Sequence, residues 1–292
     1  MGRRIAAGHE VARQTLAEAD DALGISLSRL CFDGPESELI RTENAQPAIL
    51  AVSIALWRVL LQETDLRPSW VAGHSLGEYS ALVVAGALAF ADAVRLVRTR
   101  GRLMQTAAPE GLGAMAAVIG LQADEVTRLC AEAECGDVVC PANFNGAGQI
   151  VIAGHKPAVE RAAVAARRAG ARVVELPVSA PFHCALMEPA ARGLSEALGG
   201  VTIAPLRIPL VSNVDAAVNH DAKRVTSLLV SQVTAPVRWE ESMRTLAGLG
   251  CRRALEVGPG QVLTKLLQRM RLGIEAMAVG EDGPWRIPGD GS

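Results

Sequence analysis

Aromatic side chains are scarce: four Phe, four Trp and one Tyr make up 3% of a 292-residue chain that is 50% hydrophobic. Its core must therefore be built from Ala, Val, Leu and Ile. Excess charge of one sign is also missing. A net charge of −2 gives no basis for nucleic acid as a partner. The six cysteines (Cys31, Cys130, Cys135, Cys140, Cys184 and Cys251) show no Cys-x-x-Cys pair and no His-paired ligand spacing. They are expected to be free, buried thiols in a reducing cytosol, with no metal bound. Cys184 adjoins His183, but sequence neighbours rarely face each other. No apolar run reaches membrane-spanning length, and MGRRIAAGHEVARQ turns polar too early for a signal peptide. Ala6 stands where myristoylation needs Ser or Thr. These absences point to a cytoplasmic protein with no membrane partner, expected to be a monomer. The length suits one large domain or one domain with an insertion.

What is present is an orderly α/β alternation, without internal repeats or low-complexity linkers. Apolar periodicity predicts helices over 6–22 and 45–63, a strand over 69–73, and helices from 75 to about 88 and over 90–107. From 113 the rhythm changes to strand (GAMAAVIG), helix (ADEVTRLCAEA), strand (DVVCPA), strand (QIVIAG), helix (KPAVERAAVAARRAG) and strand (ARVVELPV). That βαββαβ order over 113–178 is a ferredoxin-like arrangement inserted into a larger unit formed by 1–112 and 179–275. Helix 184–198, strand 207–212, helices 222–233 and 239–249, strand 252–257 and helix 260–271 complete a mostly parallel sheet covered on both faces. Residues 276–292 are expected to be a C-terminal tail, its last stretch EDGPWRIPGDGS turn-rich and frayed.

Between the strand ending at Gly73 and the helix starting at Ser75 lies GHSLG. A Gly-x-Ser-x-Gly alone is a weak signal. At a strand-to-helix turn it matches the elbow that holds a serine oxygen clear of the backbone at a helix N-terminus. The dipole and the free amide of Leu76 favour an anion there. An N-cap serine would explain the position too, but does not require glycine on both sides. A nucleophilic serine needs a base. His9, His155 and His220 lie in polar surroundings, and His74 sits inside the turn and should point away from the reacting face. His183, in SAPFHCALMEP at a junction between elements, is the best candidate.

Several segments carry a resemblance: TENAQPAIL, GHSLGEYSAL, VRTRGRLMQ, GAMAAVIG, NFNGAGQIVIAG, APFHCALM, SNVDA, APVRW and EVGPGQVL, in this order from about residue 2 to 275. The chain resembles malonyl-CoA:acyl-carrier-protein transacylases and the acyltransferase domains of polyketide and fatty-acid synthases. The resemblance implies an α/β-hydrolase-like core with the inserted subdomain, and no bound cofactor. It implies malonyl-CoA as substrate and, as partner, an acyl carrier protein bearing a phosphopantetheine thiol. Position by position, it makes Ser75 the nucleophile and His183 the base, held by a backbone carbonyl at Gln232 rather than by an acid. Arg100 becomes the grip on the substrate's free carboxylate; a guanidinium fork suits that task. Without the resemblance, Arg100 would read as a solvated arginine beside Arg95, Arg98 and Arg102. Gln46 matches a glutamine near the acyl pocket, with a helix-start polar residue as the alternative. Asn143 and Asn145 fall in a loop bordering the cleft, where turn formation is an equal reading. Leu76 and Phe182 bear on substrate choice, since a bulky Phe before the histidine narrows the space beside the α-carbon and disfavours methylmalonyl.

Family members open with a hydrophobic strand and a Phe-Pro-Gly-Gln-Gly loop, whose glutamine amide is the second oxyanion donor. This chain starts at MGRRIAAG, so the first core strand is expected to be missing. Two rival readings follow: a catalytically impaired, carrier-binding subunit, and a serine hydrolase or thioesterase, which would need no carboxylate clamp.

Overall fold

A computed structural model describes residues 1–109, 111–178 and 180–283. The chain opens with helices α1 (Arg3–Gly8), α2 (Glu10–Leu23), α3 (Leu27–Asp33), α4 (Glu36–Leu39) and α5 (Thr42–Glu63), then strand β1 (Val71–Ala72), α6 (Gly77–Val84) and α7 (Phe90–Thr106). Next come β2 (Gly113–Ile119), α8 (Ala123–Ala133), β3 (Val139–Gly146), β4 (Gln149–His155), α9 (Lys156–Arg168) and β5 (Arg172–Glu175). The remainder is α10 (Glu188–Leu198), β6 (Leu210–Val211), β7 (Val218–Asn219), α11 (Ala222–Thr234), α12 (Trp239–Gly248), β8 (Arg253–Val257), α13 (Val262–Met270) and β9 (Glu275–Val279).

The main core surrounds α5. Leu50, Ile54, Leu56 and Val59 of this helix are buried against Leu82, Val94, Val97 and Met104. Against the expectation that no apolar run reaches membrane-spanning length, α5 is long and apolar enough to cross a membrane, yet 72% of that window is buried inside the protein. It is a core helix. With almost no aromatics to fill space, helices approach closely. A Cβ on Gly101 would lie 2.6 Å from the Glu43 Cα and the Thr42 carbonyl oxygen, so α5 and α7 touch backbone to backbone there. That contact sets Arg100 of α7 beside Gln46 of α5.

The four-stranded sheet has the order β3-β4-β2-β5, antiparallel throughout, with α8 and α9 packed on it over Val118, Val126, Ile152 and Val159. Elsewhere the expectation of one mostly parallel sheet needs correction. β1 pairs parallel with β6, and β6 antiparallel with β7; β8 and β9 form a separate parallel pair. The apolar runs at 69–73 and 207–212 pair over only two residues each, too few to extend a wide sheet.

Other boundaries shift for local reasons. The helix expected over 6–22 breaks at His9, which is extended (φ −137°, ψ 122°). The segment 276–279, expected as tail, lies in β9, because EAMAV finds the edge of β8. Glu281 accepts the amides of Gly2 and Arg4, tying this end of the chain to α1. The frayed end expected beyond it, 284–292, lies outside the described residues. All six cysteines are free; Cys31, Cys130 and Cys184 are buried, whereas Cys135 is exposed.

Candidate active site

The turn after β1 is forced by packing. A Cβ on Gly73 would stand 2.0 Å from the carbonyl carbon and oxygen of Gly77, so only glycine lets the strand end lie on the first turn of α6. Gly77 itself faces open space; the close approach is made at one glycine rather than at both. Between them Ser75 is held at φ 50°, the left-handed region that a non-glycine residue visits at a cost. Asn213, just after β6, compensates. Its Oδ1 accepts the Ser75 amide at 2.6 Å, and its Nδ2 donates to the Gly73 carbonyl at 2.7 Å.

Ser75 Oγ lies 2.8 Å from His183 Nε2. The histidine is also left-handed (φ 60°), and its Nδ1 lies 2.8 Å from the Gln232 carbonyl oxygen on α11. That carbonyl can only accept, so Nδ1 carries the proton and Nε2 is left as the acceptor facing the serine. Burial, helped by the positive charge of Arg100, lowers the His183 pKa to about 3, so the ring is neutral at ordinary pH.

Arg100 is 2% exposed. Its Nη2 donates to Ser75 Oγ and to Gln232 Oε1, both at 3.0 Å, and its Nη1 donates to Gln46 Oε1 at 2.7 Å. The guanidinium carbon sits 5.4 Å from the Tyr79 ring centre. No carboxylate forms an ion pair with it among the described residues, so a buried cation stands beside the serine hydroxyl without a directly bound anion. Burial lowers its pKa, but an arginine keeps its charge.

The structure thus gathers Ser75, His183, Arg100, Gln46 and Gln232 into one hydrogen-bonded set. Leu76, half-buried, immediately precedes α6, and Phe182, immediately before the histidine, packs against the main core and against the small-sheet cluster around Cys184. Asn143 and Asn145 lie on strand β3, not in a loop. Register shifts between Pro141 and Asn143 and between Phe144 and Gly146 carry β3 onto Val237, whose amide donates to Ala142 O at 2.9 Å. Asn145 Oδ1 meets His74 Nε2 at 2.9 Å, and that ring lies 5.6 Å from Trp239, so His74 turns from the serine toward β3. Sequence reasoning assigned no role to Asn213 or to Glu78, although both stand in segments it singled out, SNVDA and GHSLGEYS. Neither motif tells that one supports the turn and the other is sealed beneath it.

Across residues 1–279 the chain matches the family model described as the acyl transferase domain, which fixes its class as an acyltransferase. The malonyl CoA-acyl carrier protein transacylase of Salmonella typhimurium is 49% identical over 96% of this chain and 91% of its own length. The Bacillus subtilis (strain 168) protein of the same name is 42% identical over 96% and 89%. Among solved structures, an acyl carrier protein S-malonyltransferase from Vibrio cholerae superposes with a TM-score of 0.93 at 46% identity, covering 96% of this chain and 92% of that one. A malonyl-transacylase in complex with its type II polyketide-synthase acyl-carrier protein gives a TM-score of 0.93 at 48% identity, covering 96% and 91%. The chain belongs to the malonyl CoA-acyl carrier protein transacylase family.

Proposed function

We propose that this protein moves a malonyl group from coenzyme A to the phosphopantetheine thiol of an acyl carrier protein, through an ester on Ser75. The observation that carries the reading is the double contact of one hydroxyl: Ser75 Oγ meets a neutral imidazole at 2.8 Å and a buried guanidinium at 3.0 Å. The imidazole is a base poised to take the serine proton, and the guanidinium is a site for an anion. An acyl group with a carboxylate two bonds beyond its carbonyl satisfies both at once.

In the first half-reaction Oγ attacks the thioester carbonyl while His183 Nε2 takes its proton. The Gln232 carbonyl steadies the imidazolium through Nδ1–H, so no acid is needed to orient the base. The Leu76 amide, at the N-terminus of α6, donates to the oxyanion. On collapse, His183 returns the proton to the departing coenzyme A thiolate. The second half-reaction runs the same steps in reverse, with the carrier thiol giving its proton to His183 and attacking the ester. Throughout, Arg100 binds the malonyl carboxylate, with Gln46 and Gln232 holding the guanidinium in place. Phe182 and Leu76 border the acyl group and limit substituents on its α-carbon. Asn145 and Asn143 brace the serine turn against the small sheet through His74 and Val237.

We read the assembly around β1, β6 and the elbow as an α/β-hydrolase-like core, with 113–178 as a ferredoxin-like subdomain, acting as a cytoplasmic monomer. The elbow geometry supports the reading of the core, and the strand order β3-β4-β2-β5 supports that of the subdomain. The buried guanidinium favours transfer of a carboxylated acyl group over simple ester hydrolysis. Transfer assays with malonyl-CoA and holo acyl carrier protein test it: the product should be malonyl-carrier, and release of free malonate instead would reject it.

A further inference from the structure

Glu78 takes no part in the chemistry above, yet it is fully buried on the first turn of α6. Its Oε2 accepts from Gln232 Nε2 at 2.6 Å and from the Asn213 amide at 3.3 Å. Its Oε1 is buried and has no hydrogen-bond partner among the described residues. The same Gln232 carboxamide that donates to Glu78 accepts from Arg100 at 3.0 Å. One amide therefore bridges a buried carboxylate and a buried guanidinium.

Before an acyl group binds, the two charges offset each other, which is the condition for keeping either in a dry interior. A malonyl carboxylate placed on Arg100 brings a second anion to the same cation. Two carboxylates in one buried site do not both remain ionised, and the proton goes to the weaker acid. The substrate carboxylate touches the guanidinium directly, whereas Glu78 is one amide removed and has an oxygen free to carry a proton. Burial already pushes the Glu78 pKa up to about 7, against the lowering effects of Gln232, Asn213 and Arg100. Other titratable and charged groups face this cluster. Tyr79 is pushed to about 12 by burial, and His183 is lowered to about 3. His74 is lowered by burial, Arg100 stays cationic, and Asp215 is paired with Arg224.

We propose that Glu78 is the resident counter-charge of Arg100 and takes up one proton from solvent when a carboxylate-bearing acyl group binds. The inference rests on the carboxylate-clamp reading of Arg100. Its test uses the Ser75→Ala protein, which binds thioesters without forming an ester. Calorimetric titration with malonyl-CoA and acetyl-CoA, at pH 7.5 in buffers of different ionisation heat, counts the protons exchanged. Because both ligands carry the same coenzyme A phosphates, their difference isolates the acyl group. A group titrating near 7 is roughly three-quarters ionised at pH 7.5, so malonyl-CoA should take up more than about half a proton beyond acetyl-CoA. Glu78→Gln in the same background should abolish that increment. A measurement independent of this second variant is the pH dependence of affinity. Malonyl-CoA binding should be flat below about pH 7 and weaken toward tenfold per pH unit above it, relative to acetyl-CoA. Arg100-dependent preference for malonyl-CoA without proton uptake, or with uptake unchanged in Glu78→Gln, overturns this inference alone. Equal binding of the two thioesters overturns the clamp and the inference together.

Discussion

Replacing Arg100 by Ala removes the cation that touches Ser75 Oγ and separates two effects by size. A charge-assisted pair to a buried carboxylate is worth about 2–5 kcal/mol. At tenfold per 1.4 kcal/mol this becomes a loss of roughly 30- to 4,000-fold in kcat/KM for malonyl-CoA. Acetyl-CoA has no carboxylate to lose, so its slower reaction should change far less. The substitution also leaves Gln46 Oε1 and Gln232 Oε1, which accept from Arg100 at 2.7 and 3.0 Å, without that donor. Each orphaned buried acceptor costs about 1–3 kcal/mol of stability, so the Tm should fall as well. The assay is transfer to holo acyl carrier protein with both thioesters, per folded molecule, with unfolding followed in parallel. Equal losses for the two substrates would make Arg100 a structural arginine and refute the clamp.

Asn213→Ala strips the Ser75 amide and the Gly73 carbonyl of their partners, so urea unfolding should show a loss of about 2–5 kcal/mol, and a loss below about 1 kcal/mol would deny Asn213 its role in holding the strained turn. His183 is ordinarily half-protonated near 6.5 but here only near 3, so the reactive neutral ring persists as pH falls. Inactivation of the free protein by a sulfonyl fluoride at Ser75 should keep its rate from pH 8 to pH 5; a half-loss near pH 6.5 would show an unshifted base. Phe182→Ser should raise the methylmalonyl-CoA to malonyl-CoA rate ratio in competition assays, and an unchanged ratio would place the selectivity elsewhere.

The serine turn was legible in the sequence because its signals are local. GHSLG after an apolar strand announces a strand-to-helix turn that carries the serine, and the structure places Ser75 in that turn, at φ 50°. The βαββαβ rhythm announces the small antiparallel sheet, because side-chain alternation and helix periodicity are short-range signals. Long-range features were not legible. Without the resemblance, Arg100 would have passed for one more arginine on a surface helix, because burial depends on how α7 meets α5 at Gly101, which no local pattern records. The register shifts that place Asn143 and Asn145 on β3 follow from pairing with Val237, about ninety residues away in the chain. Strand β9 was lost for the same reason: EAMAV is weakly apolar alone and becomes a strand only against β8. The double use of Gln232, backbone to His183 and side chain to Arg100 and Glu78, is a property of three elements meeting, not of the segment SQVTAPVRW.

The most direct test of the central claim is a labelling experiment on Ser75. Protein incubated with radiolabelled malonyl-CoA, without carrier, should hold close to one malonyl group per molecule as an acid-stable ester, mapped by peptide analysis to the GHSLGEYS segment. Adding holo acyl carrier protein should discharge the label onto the carrier thiol, and Ser75→Ala should remain unlabelled. Label on the Ser75→Ala protein, or its release as free malonate before any carrier is added, would contradict the account.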